Sequence, residues 1–163
     1  MVYVGVVGPG AIAERDSALC DDARAVGRAL AEAGAVVVCG GLGGVMAAVS
    51  EGVAQHDGQC VGLLPGEDRG VANESLSIAL PTGVGEARNW LIVCASDVVI
   101  ALGAGYGTLS EIALALRAGK HVVGLHTWPI AEEDEQMHVA RSASDAVKIA
   151  LRLAAPGATG RVF

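Results

Sequence analysis

The run Val98-Val99-Ile100-Ala101-Leu102 leads without interruption into Gly103-Ala104-Gly105-Tyr106-Gly107-Thr108-Leu109-Ser110-Glu111, and this stretch narrows the folds open to the chain. An unbroken β-branched run suits a strand covered on both faces, while Leu109 to Leu116 carries the apolar spacing of an amphipathic helix. The pattern is therefore strand, glycine loop, helix. Such a loop presents backbone N–H groups at a helix N-terminus, where the dipole favours an anion and glycine lets a phosphate come close. Glu111 falls about one turn into the helix. Two compatible roles follow: Thr108 as N-cap with Glu111 completing a capping box, or a carboxylate acting on whatever the loop holds.

The same alternation runs through the rest of the chain. Val2 to Val7 reads as a strand, Asp16 to Glu32 as a helix closed by Gly34, and Val36 to Cys39 as a strand. Val45 to Gln55 is the next helix, Cys60 to Leu64 the third strand, and Ser77 to Pro81 a short fourth. A helix opens around Glu86 and runs through Ala95, and His121 to Leu125 is the sixth strand after the organising one. Residues 126 to 141 show no periodicity, with Glu132 to Glu135 an acidic solvated surface, and Ser142 to Asp145 caps a last helix over Ala146 to Leu153. Strands alternating with helices imply an α/β fold, a Rossmann-like doubly wound parallel sheet in a single domain over residues 1–155, followed by a loose tail over 156–163.

A chain of 163 residues with 52% hydrophobic composition and one Phe fits such a domain. Eleven Lys and Arg against eighteen Asp and Glu give a net charge of −7, which argues against a nucleic-acid or anionic-membrane partner. With no signal-like segment and no bilayer-length apolar run, a cytoplasmic protein is expected. The four cysteines (Cys20, Cys39, Cys60, Cys94) and four histidines lack metal-ligand spacing, so buried free thiols and no metal centre are expected.

Four further segments are candidates for a role at a site. Gly8-Pro9-Gly10-Ala11-Ile12-Ala13 formally matches a dinucleotide fingerprint, but no acidic residue ends the second strand to hold a ribose, which weakens an NAD-dependent oxidoreductase reading. Gly40-Gly41-Leu42-Gly43-Gly44 places four glycines in five positions, more than a turn needs; close approach of a ligand, or close packing on a neighbouring strand, accounts for them. Arg88 stands near a helix start, where a cation is disfavoured, so something negative is expected beside it, most simply a surface acid. The polar stretch Glu67 to Ser75 reads as a lid or as a passive connection.

Gly105, Gly107, Thr108 and Glu111 resemble the Pro-Gly-Gly-x-Gly-Thr-x-x-Glu motif of the LOG phosphoribohydrolases, whose superfamily includes molybdenum-cofactor carrier proteins, with Gly103 and Ala104 where that family has Pro and Gly. Gly40, Gly41, Gly44 and Met46 resemble its second glycine element, and Arg88 its arginine, while Asn89 replaces the family lysine. The resemblance implies a nucleotide-binding homo-oligomer, a dimer or tetramer. It also implies metal-free hydrolysis of the N-glycosidic bond of a purine nucleoside 5′-monophosphate, with Glu111 and Arg88 catalytic. Gly8, Gly10, Gly40, Gly41, Gly44, Met46, Asn89, Gly103, Gly105, Tyr106, Gly107 and Thr108 would then line the nucleotide and phosphate site. The alternative it leaves open is a non-catalytic carrier of a nucleotide or of the molybdenum cofactor.

Overall fold

The computed structural model describes residues 1–11, 17–130 and 134–154. Its strands are β1 (Tyr3–Val7), β2 (Val36–Cys39), β3 (Gln59–Leu64), β4 (Ile78–Pro81), β5 (Val98–Leu102), β6 (Val122–Leu125) and β7 (Met137–Val139). Its helices are α1 (Ser17–Glu32), α2 (Val45–Ala54), α3 (Arg88–Ala95), α4 (Tyr106–Arg117) and α5 (Ala143–Leu153). All seven strands form one sheet in the order β4-β3-β2-β1-β5-β6-β7, every neighbouring pair parallel. The expected doubly wound α/β fold is thus present. The chain winds outward from β1 to β4, then returns to β5 on the other side of β1, so the topological switch point lies between β1 and β5.

Alternation along the strands divides the core into two layers. Val4, Val6, Val37, Ile100 and Leu102 face α1, α2 and α5, while Val7, Val38, Val99 and Ala101 face α3 and α4. Strands β2, β5 and β6 are buried at every position, which is why they read as continuous apolar runs rather than alternating ones. Apolar burial on both faces supplies the rigid platform whose carboxyl edge carries the loops.

Several boundaries differ from the sequence reading. A seventh strand, β7, occupies part of the segment expected to be irregular; it is a three-residue edge strand whose Val139 is exposed, too short for a periodic signal. Helix α5 starts at Ala143 instead of Ala146, capped by Ser142, whose hydroxyl accepts from the Asp145 amide at 3.1 Å. Helix α4 starts at Tyr106 with Gly105 as N-cap and no side-chain cap, so Thr108 lies inside the helix and the Thr108–Glu111 capping box does not form. Asp16, Ile12 and Ala13, the glutamates of the acidic run at 132 and 133, and the 156–163 tail lie outside the described residues. Among the described residues no helix is long and apolar enough to cross a membrane.

Candidate functional site

At the carboxyl ends of β1, β2 and β5, beside the switch point, the structure opens a cleft of about 350 Å³. Gly8, Pro9 and Gly10 after β1, Gly40 after β2, Leu42 and Met46 at the start of α2, Glu86, Arg88 and Asn89 at α3, and Gly105 to Thr108 with Glu111 on α4 form its walls. Four segments distant in sequence therefore meet here, as open α/β sheets require of a ligand site. Gly41, Gly44 and Gly103 do not line it.

Those three glycines serve the scaffold in this structure. Gly44 takes φ +62° and ψ −131° at the start of α2, and a Cβ there would sit 2.3 Å from the Pro9 carbonyl oxygen. Gly41 lies against Leu64 and Gly62 of β3, and Gly103 against Leu19 of α1. Gly40 differs, since a Cβ would fall 2.2 Å from Arg88 Nη1 and 2.5 Å from the Met46 sulfur. Its missing side chain makes room for the guanidinium. Gly107 is different again: it sits in the first turn of α4 and a Cβ on it would meet nothing within 4 Å. Neither fold nor packing asks for glycine there, although glycine in a helix costs about 1 kcal/mol relative to alanine.

Arg88 and Glu111 form the charged floor. Both are buried, at 6% and 5% exposure, and Arg88 Nη1 lies 3.6 Å from Glu111 Oε1, an ion pair without a close hydrogen bond. Burial pushes the Glu111 carboxyl from its ordinary 4.5 up to about 7; Arg88 opposes that rise, while Glu86 and Cys39 add to it. The anion expected beside Arg88 is therefore Glu111, a group of the cleft itself. Among the described residues three buried side-chain polar atoms have no hydrogen-bond partner, and two of them, Arg88 Nε and Thr108 Oγ1, belong to this cleft.

Asn89 holds a bracing position. Its amide donates to Ser110 Oγ at 2.9 Å, and that hydroxyl donates to the Gly107 carbonyl at 2.7 Å, tying α3 to the first turn of α4. A neutral amide thus stands where the resembling family carries a charge, and Arg88 is the cation of the cleft wall. Asn73, from the 67–75 connection, donates its side chain to the Leu42 carbonyl at 3.1 Å and its backbone N–H to the Gly41 carbonyl at 3.0 Å. That contact fastens the connection to the glycine turn.

Two features escaped the sequence. Cys39 and Cys60 sit 3.8 Å apart with Ser50 between them, Ser50 Oγ lying 3.3 Å from the Cys60 sulfur. The hydrogen bond to Cys39, with burial, pushes the Cys60 thiol well above its usual range. Cys94 is exposed, so not all four thiols are buried as expected. Trp128 donates its indole N–H to the Gly105 carbonyl at 3.0 Å, and its ring lies 5.9 Å from that of Tyr106. Tyr106 was expected at the site from its place in the glycine loop, whereas the only sequence signal for Trp128 was an aromatic side chain in an aromatic-poor chain.

With this geometry in view, a family model of the SLOG cluster4 family matches residues 1–154. The chain belongs to the SLOG cluster4 family. It is 42% identical over 125 residues to an uncharacterised protein of Archaeoglobus fulgidus, covering 77% of this chain and 80% of that one. The molybdenum cofactor binding protein from Rippkaea orientalis superposes with a TM-score of 0.86 at 34% identity, over 93% of this chain and 96% of its own. The molybdenum cofactor carrier protein from Chlamydomonas reinhardtii superposes with a TM-score of 0.84 at 34% identity, over 93% and 97%. The resemblance to the LOG and molybdenum-cofactor-carrier superfamily is thereby upheld for this SLOG protein, and with it the fold.

Proposed function

We propose that the cleft binds a small phosphorylated ligand of nucleotide or pterin type, its phosphate seated on the amides of Tyr106, Gly107 and Thr108. The observation that carries this reading is the pair of buried, unpartnered donors of the cleft, Thr108 Oγ1 in the first turn of α4 and Arg88 Nε at the start of α3. A buried hydroxyl left without a partner costs about 1–3 kcal/mol, and a phosphate oxygen is the acceptor that would relieve it. The open space at Gly107 gives that oxygen a path to the main chain. The Rippkaea and Chlamydomonas proteins support a carrier role, since the molybdenum cofactor is a phosphorylated pterin. Its phosphate end matches these donors. The donor set of the cleft, helix-start amides with the Thr108 hydroxyl and the Arg88 guanidinium, is suited to an anion. The cofactor would be cargo here, held by its phosphate.

Hydrolysis of a purine nucleoside 5′-monophosphate is the second reading, and Glu111 is what favours it. A carboxyl titrating at about 7 can donate or accept a proton near neutral pH, and its anion would stabilise an oxocarbenium-like transition state. That chemistry requires no cofactor. The test is a panel of nucleoside monophosphates and molybdenum cofactor, with calorimetry for binding and chromatography for free base and ribose 5-phosphate. Binding without product favours the carrier; product favours the hydrolase. Thr108→Val checks the phosphate seat in both cases. It should leave stability unchanged or raise it by about 1 kcal/mol, and weaken phosphorylated ligands at least tenfold. Unchanged affinity in that variant would remove the hydroxyl from the site.

A further inference from the structure

The chain has only five aromatic residues, two Trp, two Tyr and one Phe, and two of the five meet at the lip of the cleft. Tyr106 is 84% exposed, far more than any other aromatic side chain among the described residues, although it is the first residue of α4 and lines the cleft. Its ring lies 5.9 Å from that of Trp128 with 31° between the planes, a tilted ring–ring contact. Trp128 in turn is pinned: its indole N–H donates to the Gly105 carbonyl, at the N-cap of the same helix. The backing ring is therefore fixed to the residue that immediately precedes Tyr106, Gly107 and Thr108.

We infer that Tyr106, backed by Trp128, is a stacking platform that selects ligands bearing a planar heterocycle next to their phosphate, and so sets the substrate class of the cleft. The inference rests on the phosphate seat proposed above. An exposed ring on a residue that lines the cleft offers apolar surface that a purine or pterin ring would cover, and every such heterocycle has a π-face to stack. The pinned Trp128 reduces the ordering cost of that contact, because the platform is held before the ligand arrives. Ring and phosphate donors sit on one residue and its two successors, Tyr106, Gly107 and Thr108. A ligand reaching both must carry its ring and its phosphate on one short linker, as a nucleoside 5′-monophosphate or a pterin phosphate does. A bare sugar phosphate reaches only the second.

The experiment compares adenosine 5′-monophosphate with ribose 5-phosphate by calorimetry on wild type, Tyr106→Leu and Tyr106→Phe, with thermal unfolding measured on each. Tyr106→Leu should weaken adenosine 5′-monophosphate roughly tenfold to a hundredfold while leaving ribose 5-phosphate within about twofold. Tyr106→Phe keeps the π-face and should bind both as wild type does. In a Trp90→Phe background, adenosine 5′-monophosphate should quench the remaining Trp128 fluorescence and ribose 5-phosphate should not. Equal weakening of both ligands in Tyr106→Leu, or no weakening of either, overturns the stacking role while leaving the phosphate seat standing. Failure of wild type to bind either ligand removes the phosphate seat, and this inference with it.

Discussion

Glu111 is a buried carboxyl at the floor of the cleft, and its protonation leaves a signature in stability. Its pKa rises from 4.5 to about 7 on folding, because burial outweighs the attraction of Arg88. Between those two values the folded protein holds a proton that the unfolded chain releases, so stability falls as pH rises through the window from about 4.5 to about 7. The full effect is on the order of 3 kcal/mol, complete above pH 7 and absent below 4.5. Glu111→Gln should flatten that slope, whatever it does to absolute stability by leaving Arg88 unpaired. Denaturant titrations at pH 5 and pH 8 check this; an unchanged difference between the two pH values would mean that Glu111 is not the titrating group. If the second functional reading holds, the same variant loses about a hundredfold in hydrolysis rate, measured by release of free base.

At the scale of elements, the glycine turns separate scaffold from site. Gly44→Ala forces a side chain into φ +62° and against the Pro9 carbonyl, where backbone must move, and should cost about 2 kcal/mol or more of stability. Gly40→Ala meets the movable ends of Arg88 and Met46 instead, so it should fold nearly as well as wild type and lose ligand affinity as the guanidinium is displaced. Thermal unfolding beside calorimetry distinguishes the two, and a Gly44→Ala protein as stable as wild type would contradict the packing account. Much of this architecture was legible beforehand. Strands such as Val98–Leu102 announce themselves by continuous burial, and Arg88 by its awkward place at a helix start. The α4 boundary was not legible, because Thr108 and Glu111 have the spacing of a capping box, whereas the helix begins at Tyr106, with Gly105 as its N-cap, shortly after β5 ends at Leu102. Nor was the Cys39–Ser50–Cys60 cluster, which joins β2, α2 and β3 across the sheet with no shared local pattern. Which of the four turn glycines face the cleft was equally hidden, since that depends on how α2 docks on the loop after β1.

For the molecule as a whole, self-association is an expectation of the family resemblance, and the exposed apolar side chains bear on where it could occur. Ile92 and Val93 of α3 are consumed by the core, leaving Leu91 exposed at 38%. The edge strand β4 exposes Ile78 and Leu80 and has one unpaired side. Light scattering at micromolar concentration should give a dimer or larger, and Ile78→Lys should lower the assembly mass if that edge is used; a wild-type monomer would contradict the expectation. The cleft lies at the opposite kind of place, in the middle of the sheet where β1 and β5 part, and the account stands or falls there. The most direct measurement is a crystal structure of the protein with adenosine 5′-monophosphate bound. The phosphate should lie on the amides of Tyr106, Gly107 and Thr108 within hydrogen-bond reach of Thr108 Oγ1. A nucleotide bound elsewhere, with the start of α4 empty, would contradict it.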